Sequence, residues 1–312
     1  MVQENCVKPI IVVVAGPTAS GKTSLGVKLA KEFNGEIISA DSMQIYKAMN
    51  IGTAKVTVSE MQGVVHHLID IVNPTDSFSV AEWVDKAKNI IADITTRGKL
   101  PIIVGGTGLY ISSLLNGYNF HNVDKSSKTR EYYTDLCTKF GADYVYDILS
   151  SKAPDVAKNI DKSKTKAVIR ALEVIDTTGE FNYAPQEKPY NALVLGLDVE
   201  RSVLYDRINA RVDEMLNLGL IDECKSLIAN YGLNNNSQSA GAIGYKEIFP
   251  YLSGDVSYED MVNQIKQHSR NYAKRQVTWF KRVDNLIWVK PTDYTKIEKL
   301  VTDFLGDTNG NN

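Results

Sequence analysis

Residues 16–23 read GPTASGKT, directly after the apolar run Ile10-Ile11-Val12-Val13-Val14-Ala15. This is the pattern G-x-x-x-x-G-K-[ST] at the end of a strand and the start of a helix, and no other stretch constrains the fold as much. Its glycines allow a tight turn in which backbone N–H groups converge on phosphate oxygens at a helix N-terminus. The backbone of Gly16, Pro17, Thr18, Ala19, Ser20 and Gly21 would form that cradle. Lys22 would add a point charge, and the Thr23 hydroxyl would ligate Mg²⁺. Such a loop fixes a mode of binding without fixing a reaction. The phosphates could be those of ATP or of another ligand.

Further apolar runs recur at 36–40, 100–104, 192–197 and 286–289, while 24–33, 80–97 and 203–216 carry helical periodicity. Helices alternating with continuous apolar strands predict an α/β fold, a doubly wound parallel sheet of the phosphate-loop (P-loop) type covered on both faces. Such sheets bind ligands at the carboxyl ends of their strands. From about 121 to 187 no strand-like run occurs, and helical patterns and lysines dominate. A helical insertion is expected there, either lid-like or simply packed on the core. It would divide the core into 1–120 and 188–307, with 308–312 as a disordered tail.

The 312 residues carry 35 Lys and Arg against 37 Asp and Glu, a net charge of −2, so only a local basic patch could serve a polyanion. The most basic stretch is QIKQHSRNYAKRQVTWFKRV (264–283), with Lys266, Arg270, Lys274, Arg275, Lys281 and Arg282 and no acid. At about 100° per residue, Lys266, Arg270, Lys274 and Lys281 fall in one stripe. Val262, Ile265, Tyr272, Trp279, Phe280 and Val283 fall on the other side, which predicts a buried aromatic face. Two readings follow, a helix that meets a polyanion such as RNA and a merely solvated face. The N-terminal apolar run is too short to span a bilayer and lacks a basic segment ahead of it. A cytoplasmic protein without a membrane partner is therefore expected, and a monomer is expected besides. Cys6, Cys137 and Cys224 lie far apart without C-x-x-C spacing, which argues against a disulfide framework or a zinc site.

GEIISADSMQIY (35–46) sets Asp41 at the carboxyl end of the second strand, on the side of the phosphate loop. A carboxylate there can be a general base, a Mg²⁺ ligand through water, or a cap for the next turn. IIVGGTGLY (102–110) repeats the strand-then-glycine logic and offers the Thr107 hydroxyl, although G-G-T-G alone also fits an ordinary tight turn. Arg207 and Arg211, four apart on one helix face, suit an anionic ligand or surface pairing with Asp206 or Asp213. His66 and His67 are adjacent in an extended segment and point to opposite faces, so a structural role is expected. Asp70 and Asp198 each end an apolar run and could mimic the acidic partner of an ATPase loop. No N-K-x-D stretch for guanine recognition occurs.

Together, GPTASGKT, SADSMQIYKAMNIGTAK, HHLID, GGTGLY, RALEV (170–174), GAIGYKE (241–247) and RQVTWFKR (275–282) resemble, in this order, the tRNA dimethylallyltransferases. The likeness runs from about Pro9 to Lys290 and is weaker across 121–165. With no Cys or His after His268, the chain is similar to the bacterial form. The resemblance implies transfer of the dimethylallyl group of dimethylallyl diphosphate to the N6 amine of the adenosine 3′ to the anticodon, with Mg²⁺ as cofactor. It makes Asp41 the base and Thr107 an orienting hydroxyl. The loop Gly16–Thr23 with Arg211, joined by Arg207, becomes the diphosphate site. For the tRNA anticodon stem-loop it implies Asp41, Ser42, Met43, Gln44 and Thr107, then Arg130, Lys166 and Arg170, and then Gly241, Gly244, Tyr245 and Lys246. The basic stripe of Lys266, Arg270 and Lys274 would join them. Two departures stand out. The family often has Q-R-x-x-R before A-L-E-V, whereas this chain has Lys166-Ala167-Val168-Ile169-Arg170, and 121–130 lacks proline. Two competing functions share parts of this pattern. A small-molecule phosphotransferase would need the loop and ATP, and a nucleotide-dependent RNA-binding protein would need no Asp41.

Overall fold

The computed structural model describes residues 8–117, 128–178 and 188–309. The chain divides into two compact units, one built from 1–117 with 188–312 and the other from 118–187. The strands are β1 (Ile10–Ala15), β2 (Gly35–Ser39), β3 (His66–His67), β4 (Leu100–Gly105), β5 (Asn191–Leu197) and β6 (Leu286–Val289). The helices α1 (Lys22–Glu32), α2 (Val58–Met61), α3 (Val80–Thr96) and α4 (Gly108–Leu115) belong to the first unit. Next come α5 (Lys128–Phe140), α6 (Ala142–Lys152), α7 (Pro154–Lys158) and α8 (Thr165–Thr178) of the second. The first unit resumes with α9 (Arg201–Asn217), α10 (Leu220–Tyr231), α11 (Tyr245–Leu252), α12 (Tyr258–Phe280) and α13 (Tyr294–Asn309).

All six strands are parallel, in the order β3-β2-β4-β1-β5-β6. Central β1 is an unbroken aliphatic run because both of its faces are covered. On one face Val12 and Val14 pack with Leu25 and Leu29 of α1 and with Ile297 and Val301 of α13, and on the other Ile11 and Val13 are also fully buried. Burying each such side chain contributes about 1.5–3 kcal/mol before the entropy of ordering it is subtracted. On α3, Ser79 and Glu82 form a capping box, and Trp83, Val84, Ala87, Ile91 and Ile94 are buried at helical spacing. Trp83 donates Nε1–H to the Ser39 carbonyl at 3.0 Å, which ties α3 to the end of β2. After β1 the chain turns to one flank of the sheet, and after β4 it crosses to the other. That reversal opens a crevice at the carboxyl ends of the central strands.

The extended segment expected at His66 and His67 is the short strand β3, although two residues carry no periodicity that would announce a strand. They pair with Ile37 and Ile38 of β2. His67 Nε2 lies 2.8 Å from Glu36 Oε2, and buried Glu36 also receives Arg97 at 2.5 and 2.8 Å and Lys99 at 2.8 Å. The Arg97 hydrogen bonds hold the Glu36 carboxyl well below the usual range despite its burial, and Lys99 and His67 add to the effect. His67 is therefore held in a buried ion cluster, whereas His66 lines the crevice at the strand ends.

The second unit has its own core, with Tyr133, Val145, Leu149, Val168 and Leu172 among its buried residues. Its fully buried Glu173 accepts from Arg130 at 2.6 Å and from Arg170 at 2.8 Å. Two arginines expected to reach RNA are thus engaged by an internal carboxylate, whereas Lys166 is exposed. Residues 121–127 and 179–187 of the expected insertion, and Cys6, lie outside the described residues. α13 takes in residues 308 and 309 of the stretch expected as a tail, and 310–312 again lie outside the described residues.

Candidate functional site

The crevice is a cavity of about 690 Å³ at the carboxyl ends of β1, β2 and β4. A second hollow, of about 730 Å³, lies by Ile10 and Asn191, the first residues of β1 and β5, and shares no residue with it.

Thr18, Ala19, Gly21, Lys22 and Thr23 bring the 16–21 loop and the first turn of α1 to the cavity wall. Gly21 precedes α1 at φ 93°, no side chain caps the helix, and its first turn carries no acid. The leading N–H groups of α1 thus keep the partial positive charge that a helix start offers an anion. Lys22 Nζ donates to the Pro17 carbonyl at 2.6 Å. Burial pushes the Lys22 ammonium down to about 8, opposed by Asp41 and reinforced by Arg211. An arriving anion would relieve that penalty. Among the described residues no group of three or more His, Cys, Asp or Glu could hold a metal ion. A Mg²⁺ here would have to rest on the Thr23 hydroxyl and on the ligand's own oxygens, which matches how that ion is usually bound with phosphates.

Asp41 follows β2. Its Oδ1 accepts from the N–H of Met43 at 2.9 Å and of Gln44 at 3.3 Å. One carboxylate oxygen thus caps the turn, and the turn makes no use of Oδ2. Capping and proton abstraction are compatible in the same residue. Thr107 fixes this turn from the β4 side. Its N–H donates to the Ala40 carbonyl at 3.0 Å, and its Oγ1 accepts from Ser42 N–H at 3.0 Å. Gly105 is required because a Cβ there would lie 2.2 Å from the Ala40 oxygen. Tyr272 of α12 lines the same cavity, and burial, followed by the charge of Asp41, pushes its phenol up to about 12. It stays a neutral donor beside that carboxylate.

Ser42, Met43, Gln44, Gly241, Gly244, Lys246 and half-buried Arg211 also line the cavity, while Arg207 is exposed and outside the lining. Burial holds the Arg211 guanidinium below its usual value. Tyr245 corrects the sequence reading: it is fully buried, and its hydroxyl donates to Glu223 at 2.6 Å, so it supports the wall instead of facing a ligand. The basic stripe needs a second correction. Lys266 pairs with Asp213 at 2.6 Å and Arg270 donates to Asn209 at 2.6 Å, because α12 packs against α9 along that side. Lys274 and Lys281 are exposed. Trp279, expected on the buried face, is 43% exposed and donates to Ser112 Oγ. The buried side of α12 is Met261, Ile265, Ala273, Gln276 and Phe280. Asp70 pairs with Lys55, and neither Asp70 nor Asp198 lines the cavity.

Two residues escaped the sequence reading. Glu223 of α10 accepts from the successive N–H groups of Asn50, Ile51 and Gly52 at 2.8 to 3.1 Å and holds the loop that forms one cavity wall. Nothing local marks it, since its partners lie far away in the chain. Gln276 did leave a signal, as an amide at an apolar-face position between Ala273 and Phe280.

Parallel sheet, anion-ready loop and acidic turn together define an α/β protein whose cavity suits a phosphorylated ligand. The chain belongs to the IPP transferase family: the model described as "IPP transferase" matches residues 44–283, and one described as "Isopentenyl transferase" matches 9–78. It is 49% identical over 298 residues to the tRNA dimethylallyltransferase of Thermoanaerobacter sp. (strain X514), covering 93% of this chain and 94% of that one. It is 48% identical over 301 residues to that of Bacillus licheniformis, covering 95% of each. Among solved structures, the full-length tRNA isopentenylpyrophosphate transferase of Bacillus halodurans superposes with a TM-score of 0.75 at 43% identity, over 97% of this chain and 99% of that one. A eukaryotic dimethylallyltransferase acting on tRNA gives 0.82 at 29% identity, over 95% and 79%.

Proposed function

We propose that this chain transfers the dimethylallyl group of dimethylallyl diphosphate to the N6 amine of the adenosine 3′ to the anticodon in tRNA. One observation carries the proposal within this family: a single cavity brings the Lys22 loop together with the Asp41 turn that Thr107 fixes. An adenine amine is a weak nucleophile because its lone pair is delocalised into the ring. As the bond from N6 to the allylic carbon forms, the carbon–oxygen bond to diphosphate breaks, and the leaving oxygen keeps the electron pair. Asp41 Oδ2 would accept the N6 proton, and Thr107 and Tyr272 would hold the carboxylate and the amine in register. Lys22, Arg211 and the first-turn N–H groups of α1 would stabilise charge that develops on the diphosphate. Mg²⁺, held by Thr23 and the diphosphate oxygens, would supply further charge neutralisation. Lys246 beside the cavity, Lys274 on the exposed side of α12 and Lys281 just past its end are the cations best suited to tRNA phosphates. No helix among the described residues is long and apolar enough to cross a membrane.

Protein incubated with unmodified tRNA, Mg²⁺ and labelled dimethylallyl diphosphate should release one diphosphate per prenylated adenosine without ATP. ADP formation from ATP and a small hydroxyl substrate, with no tRNA present, would return the loop to the phosphotransferases.

A further inference from the structure

Gln276 is 6% exposed, and both ends of its amide are used by the backbone of separate loops. Its Oε1 accepts from Thr18 N–H at 2.8 Å, in the loop after β1. Its Nε2 donates to the Gly106 carbonyl at 2.9 Å, in the turn after β4. The approach is so close that a Cβ on Gly106 would lie 2.2 Å from Nε2. The next residue is Thr107, whose hydroxyl takes the Ser42 N–H beside Asp41. A continuous path of short hydrogen bonds therefore runs from the 16–21 loop, through one side chain of α12, to the acidic turn. An aliphatic side chain would fill the same volume at lower desolvation cost. What it could not supply is a donor and an acceptor on one rigid fork.

We infer that Gln276 is a positioning residue that sets the spacing between the loop holding the leaving group and the Asp41–Thr107 turn holding the nucleophile. This inference rests on the transfer reaction proposed above. Displacement of either partner by about 1 Å costs roughly 100-fold in rate when two reactants must stay aligned. β1 and β4 are paired as far as Ala15 and Gly105, and beyond that register this amide ties the two loops to each other. Nothing in the inference requires Gln276 to touch substrate.

Two variants test it. Gln276→Met keeps the volume and loses both hydrogen bonds. Its kcat should fall about 10- to 100-fold while KM for tRNA and for the prenyl donor changes less than about threefold. Gln276→Glu keeps the acceptor for Thr18 but sets a carboxylate against the Gly106 carbonyl. When protonated, the acid regains a donor and becomes nearly isosteric with the amide, and burial favours that form. Its kcat, divided by that of the wild type at each pH, should therefore rise as pH is lowered from about 8 to about 6. A residue that only stabilises the fold would lower Tm and leave both readouts flat. Wild-type protein that transfers no prenyl group would overturn the proposed function and this inference with it. An active wild type with Gln276→Met at near-normal kcat would overturn the inference alone. If Gln276→Met does not fold, a flat normalised pH profile for Gln276→Glu would do the same.

Discussion

Binding of a diphosphate should be accompanied by proton uptake at Lys22. In the free protein its ammonium is held down to about 8 and donates to its own loop at Pro17. With a pKa of about 8, roughly 0.9 of the molecules carry the charge at pH 7 and roughly 0.1 at pH 9. An anion placed against the ammonium raises its pKa back towards the ordinary lysine value. The sign follows: affinity is full below about pH 8, where Lys22 is already charged, and falls as pH climbs through that value. Between pH 7 and pH 9 the association constant for inorganic diphosphate should drop about tenfold, and uptake should rise from about 0.1 to about 0.9 proton per site. Calorimetry in two buffers of different ionisation enthalpy reads that uptake directly, once the titration of the ligand itself is subtracted. Lys22→Arg keeps a charge that does not titrate in this range, so its uptake should vanish. Wild-type uptake at pH 9 no greater than that of Lys22→Arg would refute the claim that burial sets the charge of this loop.

Asp41→Asn should lower turnover by about 100-fold or more with inorganic diphosphate affinity nearly unchanged, measured by single-turnover prenylation. For tRNA, Lys274→Ala and Lys281→Ala should each reduce the log–log salt slope of binding by up to about 0.9. Lys266→Ala should reduce it less, because Asp213 already neutralises that charge. Glu223→Ala strands the Asn50, Ile51 and Gly52 N–H groups and the Tyr245 hydroxyl, and should cost about 1–3 kcal/mol in denaturant unfolding. Glu36, depressed by Arg97, contributes stability that is present above the ordinary carboxylate range and lost as pH falls below it. The acid limb of a Tm-against-pH curve should therefore flatten in Glu36→Gln.

The sequence revealed those elements whose cause is local. β1, β4 and most of β5 are buried on both faces, so they read as apolar runs, and GPTASGKT marked the loop because strand, glycine and helix start are contiguous. What stayed hidden depends on what lies opposite. A helical projection of α12 gives the angle of Trp279 but not whether a neighbour covers it, and it could not foresee that α9 would take up Lys266 and Arg270. Tyr245 looked like a ligand contact within GAIGYKE because nothing nearby in sequence announces Glu223. Two-residue β3 exists only through its pairing with β2.

The strand order also bears on how the chain is made. β1 leaves the ribosome first, and β4 can cover one of its edges, but its other partner, β5, comes roughly 90 residues later. At a synthesis rate of about 5–20 residues per second, an aliphatic strand destined for the centre of the sheet waits about 5 to 20 s with one edge bare. Throughout that interval the nascent chain presents a row of unpaired N–H and C=O groups to anything able to add a strand. Codon choice across the segment encoding the second unit would lengthen or shorten that exposure. Yield in the cell can thus depend on residues that never approach the cavity.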